Sequence, residues 1–431
     1  MASAYLTRTP SSASNQKTFT ISTWVKKCNT TGNKIIFSQG ADNGEFFSIR
    51  LDARGYLNVF HLTNGGYTYA SLLSTSMMLR DNHGFYHITV AVDTTQATAS
   101  DRTKIYINGN LITDFVSGEN SYPSQNFDSY VNTTNVVTIG AKPANGDNLD
   151  GHLSHFHFID GTAYAASDFG QTDATTGIWK PKTSPSVTYG TNGFFLKFDN
   201  SGNMGLDSSG QSNNFTTNGT IIQNKDTPSN VFATMNSLIP STITYSNGNN
   251  TIAYGSDYHA TFGTLGFTQG KWYYETKIEN VSTVTDQYIG IAGETAIVTG
   301  ATYDATPSVF YSGDGSIHVD GTSTQSSLTS FSGGTILGVA INMDNSQIDF
   351  YINGVKQGNT ATIPSNSGFY LPYAGGASPR SCSFNFGNGY FGTTAVTSAQ
   401  NPDDGNGIFE YDVPAGYRAL CTKSINAEEY S

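Results

Sequence analysis

The stretch Lys104-Ile-Tyr-Ile-Asn-Gly109 has a near copy at Asp349-Phe-Tyr-Ile-Asn-Gly354. In each copy two large apolar residues flank the tyrosine, and a charged residue precedes them. Because side chains alternate across a β-strand, the apolar residues face a core and the tyrosine faces the other way. The Asn-Gly pair then supplies the positive φ angles of a two-residue hairpin turn. The two copies predict the same antiparallel hairpin twice in one chain.

Each hairpin sequence follows an apolar strand that ends in aspartate. Residues 88–93 precede the first copy, and residues 337–344 precede the second. A strand, a loop, a second strand and a tight turn therefore recur in the same order. This repetition predicts two antiparallel β domains of related design.

The composition favours β-structure throughout. The chain has 431 residues, which is long enough for two or three domains. Its 26 Phe and 25 Tyr can build cores, and its 46 Gly with abundant Ser, Thr and Asn favour strands and turns over helices. No stretch keeps a helical period for more than about two turns. We therefore predict an all-β protein.

Charge and cysteine content disfavour several classes of function. The chain carries 21 Lys+Arg against 33 Asp+Glu, formally −12, which opposes binding to nucleic-acid phosphates. No apolar run approaches the roughly 18 residues of a membrane span. The first residues lack the basic and apolar regions of a secretory signal. Three widely spaced cysteines form neither a disulfide framework nor a metal motif. We expect synthesis in a cytoplasm, no membrane insertion and no nucleic-acid partner.

Short alternating segments separated by glycine-rich turns predict β-sandwiches in both halves. The predicted strands of the first half are residues 4–7, 19–26, 34–38, 46–52, 56–62, 85–93, 104–107, 136–140 and 151–160. The predicted strands of the second half are residues 271–280, 287–293, 308–311, 335–343, 347–352 and 381–386.

The ordered series of motifs resembles two known modules. The first half, through residues 19–26, 85–93, 104–111, 137–140 and 149–158, resembles a laminin-G-like jelly roll of the concanavalin-A type. The second half, through residues 270–278, 288–292, 336–358 and 383–387, resembles a SPRY domain. The resemblance implies two concanavalin-A-like antiparallel β-sandwich domains in tandem, at 1–224 and 225–421, with 422–431 as a polar C-terminal tail.

The first half departs from the laminin-G pattern in one respect. Such domains usually open with a strand and an Asp-Ser-Ser-Gly-Asn-like loop, whereas here that pattern lies at residues 193–215. We expect this segment to fold back beside the strand at 4–7. It would then complete the first sandwich as a permuted strand.

The whole tandem resembles virion proteins from tailed phages of marine bacteria. The resemblance rests on Tyr5-Leu-Thr-Arg-Thr-Pro, Thr227-Pro-Ser-Asn-Val-Phe and Val413-Pro-Ala-Gly-Tyr. It implies a non-enzymatic tail-fibre, host-attachment or capsid-decorating component on the virion surface. Its partners would be other virion proteins and a host-surface glycan or receptor, bound through sandwich loops. The resemblance also implies many copies per particle or a homo-oligomer.

A glycan-degrading enzyme is one alternative, because concanavalin-A-like folds also host such enzymes. A glycosidase needs two carboxyl groups about 5–5.5 Å or 6.5–9.5 Å apart. The glutamate-containing pairs at strand spacing are Glu275/Glu279 and Glu410/Asp412. A solvated face accounts better for both pairs, so we predict no catalytic residue. A purely architectural capsid cement protein is the other alternative.

Two kinds of metal site are conceivable. His155 and His157 are spaced to point to one side of a strand, as two zinc ligands would, and His87 could be a third. The buried positions of the neighbouring phenylalanines explain that spacing equally well without a metal. We expect the imidazoles to lie on the polar face of the strand.

Calcium is the stronger candidate. Asp199, Asn203 and Asp207 place hard oxygen donors in a glycine-bearing loop, as calcium requires. Residues 145–150 form a second loop of this kind. Asp and Asn also cap their own turns without any ion. The sequence therefore requires no cofactor and offers calcium as a candidate.

Tyrosines in predicted loops are candidates for ligand contact. Tyr67, Tyr69, Tyr303 and Tyr373 could stack on sugar rings or anchor a protein partner. Packing along strands is the alternative for each of them. In the second domain, the SPRY resemblance implies a ligand surface that includes the loops at 295–307 and 372–381.

Overall fold

The computed structural model describes residues 4–28, 32–41, 44–63, 65, 68–143, 146–239, 241–255, 257–280, 286–298, 306–377 and 380–429. Within it the chain divides into two compact units, residues 1–223 (unit 1) and residues 224–431 (unit 2). Nearly all regular structure in both units is β-strand. The all-β prediction is confirmed.

Unit 1 pairs its strands into two main sheets and one small hairpin. The larger sheet has the order β10-β6-β5-β4-β3-β11-β1-β16, the smaller has the order β15-β12-β2-β7-β8-β9, and β13 pairs with β14. The strands are β1 (Tyr5–Arg8), β2 (Thr18–Lys27), β3 (Lys34–Ala41), β4 (Glu45–Leu51), β5 (Tyr56–Thr63), β6 (Thr68–Met78), β7 (Tyr86–Asp93), β8 (Thr103–Ile107), β9 (Asn110–Leu111), β10 (Phe115–Ser121), β11 (Val137–Ile139), β12 (Gly151–Asp160), β13 (Gly170–Thr172), β14 (Trp179–Pro181), β15 (Phe194–Leu196) and β16 (Thr216–Asn218).

The core of unit 1 lies between the two main sheets. Alternation decides which side chains enter it. On β4, Phe47, Ile49 and Leu51 are buried in the core, while Phe46 and Arg50 point to the outer face of the larger sheet. Apolar residues of β2, β7 and β12 meet them from the smaller sheet. The arrangement is a β-sandwich.

Strands from the last part of unit 1 complete both sheets. β1 has two antiparallel neighbours, with Leu6 opposite Ile139 of β11 and opposite Thr217 of β16. β15 pairs with β12, with Phe194 opposite Phe158. One stretch of chain thus supplies an edge strand to each sheet.

Unit 2 is also a sandwich of two antiparallel sheets. One has the order β17-β18-β29-β20-β25-β26-β27, with β32 parallel to β20, and the other has the order β19-β28-β21-β22-β23-β24. β30 pairs with β31. The strands are β17 (Thr244–Ser246), β18 (Thr251–Ala253), β19 (His259–Phe262), β20 (Lys271–Asn280), β21 (Gln287–Gly293), β22 (Ser308–Ser312), β23 (Ser316–Val319), β24 (Thr322–Gln325), β25 (Ile336–Asn342), β26 (Gln347–Ile352), β27 (Val355–Thr362), β28 (Tyr370–Gly376), β29 (Ser381–Asn385), β30 (Tyr390–Phe391), β31 (Thr394–Ala395) and β32 (Arg418–Ala419), and the helices are α1 (Thr295–Val298) and α2 (Thr422–Glu429).

The repeated sequence forms the same hairpin in both units. The backbone N–H of Asn108 donates to the carbonyl of His87, and its Oδ1 accepts from the N–H of His87, at 2.9 and 2.8 Å. Asn353 makes the same pair of bonds with Ile336, at 2.8 and 2.9 Å. Both asparagines have a φ of 49°. The asparagine therefore ties each turn to the start of the preceding strand.

Segments with little regular structure cover one outer face in each unit. In unit 1, residues 161–190 (cover 1) lie over the smaller sheet, where Trp179 Nε1 donates to His87 Nδ1 at 3.0 Å. In unit 2, residues 397–421 (cover 2) lie over the sheet that contains β20, where the ring of Phe409 lies 5.0 Å from that of Tyr273. Residues on these faces are consequently buried although they lie outside the sandwich cores.

The sequence missed some regular elements. Thr68–Met78, Phe115–Ser121, Val355–Thr362 and Tyr370–Gly376 are strands that no pattern predicted. Residues 422–429 form helix α2 within the stretch predicted as a polar tail. Among the described residues, no helix has the length and apolar character that a membrane crossing requires.

Candidate functional site

A cavity of about 330 Å³ lies on the outer face of the larger sheet of unit 1. Strands β3 to β6 and the loop after β11 surround it. Its lining consists of Ile35, Ala41, Gly44, Phe46, Arg50, Phe60, Leu62, Tyr69, Lys142, Pro143 and Asp147. This volume falls at the lower end of the range for small-molecule sites.

The floor and one wall of the cavity are aromatic. Phe60 is almost fully buried, while Tyr69 is 44% exposed. The two rings meet edge to face, with centroids 5.5 Å apart and an interplanar angle of 90°. Phe46 lies 5.9 Å from Phe60 on the neighbouring strand. The exposed ring of Tyr69 is therefore held in place by a buried one and remains open to a ligand.

The polar groups of the cavity come from two separate elements. The Arg50 guanidinium lies 4.7 Å above the Phe60 ring, and its Nε and Nη2 donate to Asn58 Oδ1 at 3.2 and 2.8 Å. Lys142 and Asp147 belong to the loop that follows β11. This loop is tied to β3 by the bond from the Ile35 N–H to the Asp147 carbonyl, 2.8 Å long.

Among the described residues, no ion pair involves the two cations of the cavity. In the part of unit 1 that the structure describes, the ion pairs involve Lys17, Arg54, His83, Lys104 and Lys180, but neither Arg50 nor Lys142. Arg50 Nη1 likewise has no hydrogen-bond partner among the described residues. Its described lining thus combines an aromatic platform with two cations and the exposed carboxylate of Asp147.

The predicted ligand tyrosines have different outcomes. Tyr69 lines the cavity, whereas Tyr67 and Tyr303 lie outside the described residues. The prediction for Tyr373 is wrong, because this residue lies in strand β28 and is 0% exposed. Its ring packs 5.7 Å from Phe262 and 6.0 Å from Phe310.

The loops predicted as the ligand surface of unit 2 also need correction. Residues 372–376 belong to β28, which lies between β19 and β21 inside a sheet. The carbonyl of Pro372 accepts a bond from the Gly263 N–H there, at 2.8 Å. Thr295–Val298 form α1, and residues 299–305 lie outside the described residues.

The three candidate calcium donors differ in their exposure to solvent. Asp199 and Asn203 are exposed, while Asp207 is 9% exposed. The Asp207 carboxylate accepts from the N–H groups of Phe195, Ser209 and Asn213 and from the Ser209 hydroxyl, at 2.8–2.9 Å. These four donors fit a structural role for Asp207 in the turn better than metal ligation. Calcium at Asp199 and Asn203 stays a prediction.

The histidines on β7 and β12 lie under cover 1. His157 stacks 3.9 Å from Phe195, and its Nδ1 lies 2.9 Å from the Tyr189 hydroxyl. His87 stacks 4.6 Å from Trp24. Burial lowers the pKa of His87 to about 3 and the pKa of His157 well below its usual value. Among the described residues, no group of three or more His, Cys, Asp or Glu side chains is arranged to hold a metal ion.

The solvated face predicted for Glu275 is wrong. Glu275 is 0% exposed, because cover 2 lies over it. Its carboxyl oxygens accept from the N–H groups of Glu410 and Tyr411 at 2.8 and 2.9 Å. Burial raises the pKa of Glu275 to about 7, although these N–H donors act in the opposite direction. A sealed carboxyl group of this kind anchors the cover.

Sequence reasoning missed the two cations of the cavity, Arg50 and Lys142, and considered Asp147 only as part of a candidate calcium loop. A signal for Arg50 was present, because Phe46 and Arg50 are four residues apart on one strand and must share a face. No local pattern links either of them to Lys142, which is 92 residues further along (142 − 50). The cavity depends on non-local strand pairing.

Comparisons with known proteins agree with this architecture. Residues 2–167 match the laminin-G family described as the concanavalin A-like lectin/glucanases superfamily, and residues 271–389 match the SPRY domain family. The chain therefore contains a concanavalin-A-like domain followed by a SPRY domain, as the sequence motifs predicted. This pair of domains indicates a module that binds a ligand or a protein.

Solved SPRY structures resemble part of the chain. The SPRY domain of human HERC1 is 18% identical, covers 35% of this chain and 96% of its own, and has a TM-score of 0.31. The TRIM65 PSpry domain is 14% identical, covers 36% of this chain and 91% of its own, and has a TM-score of 0.29. A comparison with curated proteins finds no match to this chain.

Proposed function

We propose that this protein is a non-enzymatic binding component of a phage virion, and that its concanavalin-A-like domain contacts a host-surface ligand through the cavity. The single observation that carries the binding role is the cavity itself. It presents the exposed ring of Tyr69 beside the cations Arg50 and Lys142. An aromatic surface with a few polar or charged groups is typical of ligand-binding sites.

The position on a virion rests on the resemblance of the tandem to tail-fibre, host-attachment and capsid-decorating proteins. Display in many copies would suit a shallow site of modest affinity. Linked sites can gain 10²–10⁴ in avidity without any new contact. The net charge of −12 would keep neighbouring copies soluble.

The hydrogen bonds that the candidate carboxyl groups accept favour binding over glycan hydrolysis. Both oxygens of Glu275 accept backbone hydrogen bonds beneath cover 2. Glu410 accepts from the N–H of Thr397 at 2.6 Å and from its hydroxyl. A glycosidase acid must instead reach the bond that it protonates.

Two measurements test this proposal together. Antibodies raised against the recombinant chain should label intact phage particles in immuno-electron microscopy. The wild-type chain should bind host cells and compete with phage adsorption, whereas Tyr69→Ala should bind them less. Reducing sugar released from host envelope polysaccharide would instead support the enzyme. Labelled capsids without any host-cell binding would support the architectural cement protein.

A further inference from the structure

We propose that cover 1 opens in acid, because protonation of the His87 imidazole breaks the hydrogen bond that joins Trp179 of the cover to the smaller sheet of unit 1. The outer face of that sheet, which the cover buries at neutral pH, then becomes exposed to solvent. This device belongs to unit 1 alone and does not depend on what the protein binds.

A single hydrogen bond joins the middle of cover 1 to the sheet. Trp179 Nε1 donates to His87 Nδ1 at 3.0 Å. Within the described residues, every other hydrogen bond of residues 165–187 stays inside the cover, as in the pairing of β13 with β14. The start of the cover is held separately, because the Tyr164 N–H donates to Thr20 Oγ1 at 2.8 Å. The middle can therefore open while the start stays attached.

The direction of this bond fixes the protonation state of His87. An indole N–H is a donor only, so His87 Nδ1 must be the acceptor and Nε2 carries the ring proton. The Ser22 hydroxyl lies 2.8 Å from Nε2 and can accept that proton. A second proton would have to bind Nδ1, where it would face the N–H of Trp179. Protonation of His87 and its bond to Trp179 therefore exclude each other.

The burial of His87 acts in the same direction. Its ring is buried and stacks 4.6 Å from that of Trp24. Burial lowers the pKa of His87 to about 3, whereas an imidazole that water reaches titrates near 6.5. Protons therefore bind the open form first as the pH falls below 6.5. The stability that His87 gives the closed cover is complete above this pH and is lost progressively below it.

A second histidine contacts the cover near its other end. His157 Nδ1 lies 2.9 Å from the Tyr189 hydroxyl, and the ring of Phe169 lies 5.1 Å from the His157 ring. Burial lowers the pKa of His157 well below its usual value. Opening the cover removes both aromatic neighbours and admits water to this ring. Acid therefore weakens the closed cover at two points.

The charged groups around the two imidazoles do not favour protonation in the closed form. The charge of His155 opposes protonation of both His87 and His157, and Lys197 opposes that of His155. The other ionisable side chains of this region include Lys26 on β2, Tyr106 on β8, Asp207 beside β15, and Asp173 and Lys180 in the cover. Asp173 is ion-paired with Lys180, and Asp207 accepts four protein donors. These two carboxylates are therefore engaged elsewhere.

Opening the cover would change the character of the surface. Trp24 and Phe195 lie on the outer face of the sheet and are buried, and Phe169 of the cover is buried against it. The rings of Phe195 and His157 stack with centroids 3.9 Å apart. Acid would thus expose an aromatic surface that is hidden at neutral pH.

Hydrogen exchange measured by mass spectrometry on the full chain tests this device. Exchange is followed at pH 7.5 and pH 5.0, and each rate is corrected for the intrinsic effect of pH on amide exchange. At pH 5.0 the protection of residues 165–187 should fall by about 30-fold from His87 alone, which is 10 raised to the power 6.5 − 5.0. Strands β4 and β5 of the larger sheet should stay protected, because local opening leaves them intact.

Two variants assign the effect to His87. His87→Gln keeps an acceptor oxygen for Trp179 and does not titrate, so it should recover about 30-fold of the protection at pH 5.0. His61→Gln is the matched control. It removes a buried imidazole from β5 of the larger sheet, where His61 lies between the Ser71 and Ser129 hydroxyls, and should leave the opening of cover 1 unchanged.

A measurement on the wild-type chain keeps the test valid if His87→Gln does not fold. Nitrogen-15 NMR at pH 7.5 should show His87 with its proton on Nε2. A proton on Nδ1 would overturn the inference, as would equal protection of residues 165–187 at both pH values. An acid effect that persists in His87→Gln would also overturn it. So would loss of protection in β2 and β7 together with the cover, because that result indicates unfolding of the whole unit.

Discussion

One sheet in each unit contains the repeated Asn-Gly hairpin, but different side chains bury the outer faces of these two sheets. In unit 1 the ring of Trp179 packs on Gly109, and in unit 2 the ring of Tyr411 packs on Gly354. Beneath these rings, unit 1 buries the neutral imidazole of His87, whereas unit 2 buries the carboxyl group of Glu275. In both units the cover thus packs on the turn of the hairpin, while the polar side chain buried beneath the cover differs between the units.

The difference has an energetic meaning. His87 offers one acceptor to a tryptophan N–H of cover 1. Glu275 instead satisfies two backbone N–H groups of cover 2 with one side chain. A buried backbone donor without a partner costs about 1–3 kcal/mol. Cover 2 therefore depends on a single residue more strongly than cover 1 does.

The largest expected effect is the loss of the Glu275 carboxyl group. Glu275→Ala leaves the N–H groups of Glu410 and Tyr411 unpaired, so we expect unit 2 to lose about 4 kcal/mol of unfolding free energy. Hydrogen exchange should accelerate at residues 408–411. The control Glu275→Gln keeps the size and one acceptor oxygen, and should lose about 2 kcal/mol. Unchanged exchange in Glu275→Ala would show that this carboxyl group does not hold the cover.

The two units should respond to pH in opposite directions. Since Glu275 has a folded pKa of about 7 and an unfolded pKa near 4.5, its contribution stabilises unit 2 at low pH and is lost as the pH rises through 7. His61 and His87 have folded pKa values of about 3, so protons bind the unfolded state first below pH 6.5 and unit 1 loses stability there.

Urea unfolding that is monitored by hydrogen exchange in each unit measures these pH effects. Between pH 8 and pH 5, unit 2 should gain up to about 3 kcal/mol from Glu275. Over the same range, unit 1 should lose about 2 kcal/mol for each of His61 and His87, and His157, whose folded pKa is also lowered, adds to this loss. Glu275→Gln removes the gain in unit 2 only. Parallel pH profiles of the two units would contradict this explanation.

Alanine at the two turn glycines compares the covers directly. A Cβ on Gly354 would lie 2.7 Å from a Tyr411 ring carbon, and one on Gly109 would lie 3.0 Å from Trp179. Together with the cost of a positive φ at alanine, these contacts predict that Gly354→Ala and Gly109→Ala lower the free energy of unfolding by about 3 and 2 kcal/mol, as measured in urea. Gly210→Ala and Gly334→Ala isolate the φ cost, because nothing lies within 4 Å of either position. If the two controls lose as much unfolding free energy as Gly354→Ala does, the contact with the Tyr411 ring does not explain the loss.

Calcium should have the smallest effect. Asp207 is engaged by four protein donors, so saturating calcium should raise the melting temperature of unit 1 by less than about 1 °C. Differential scanning calorimetry with calcium and with EDTA measures this shift. A rise of several degrees that Asp199→Asn removes would establish calcium ligation at this loop.

Local patterns explain why the fold class could be predicted. Period-two alternation and the Asn-Gly turn depend on neighbouring residues, and both hairpins form where those patterns occur. β28 was mistaken for a loop because Pro372 and the two following glycines are typical of turns. Its pairing on both sides comes from β19 and β21, which are distant in sequence.

The candidate site and the covers were less predictable for a related reason. Alternation assigns Glu275 to the face opposite Trp272, but it does not tell whether another segment covers that face. The N–H donors of Glu275 lie 135 and 136 residues away. Similarly, Arg50 and Lys142 line the same cavity only because the loop after β11 lies beside β3. Such contacts follow from tertiary packing and leave no local trace.

The pairing of β1 with β16 constrains how unit 1 is made on the ribosome. β1 is translated more than 200 residues before β16 (216 − 8), and its other neighbour β11 also follows by more than 120 (137 − 8). Until those strands emerge, the nascent chain carries an unpaired strand that can attach to the wrong edge. Closing such a long loop also slows folding. Nascent unit 1 should therefore need a chaperone for longer than nascent unit 2.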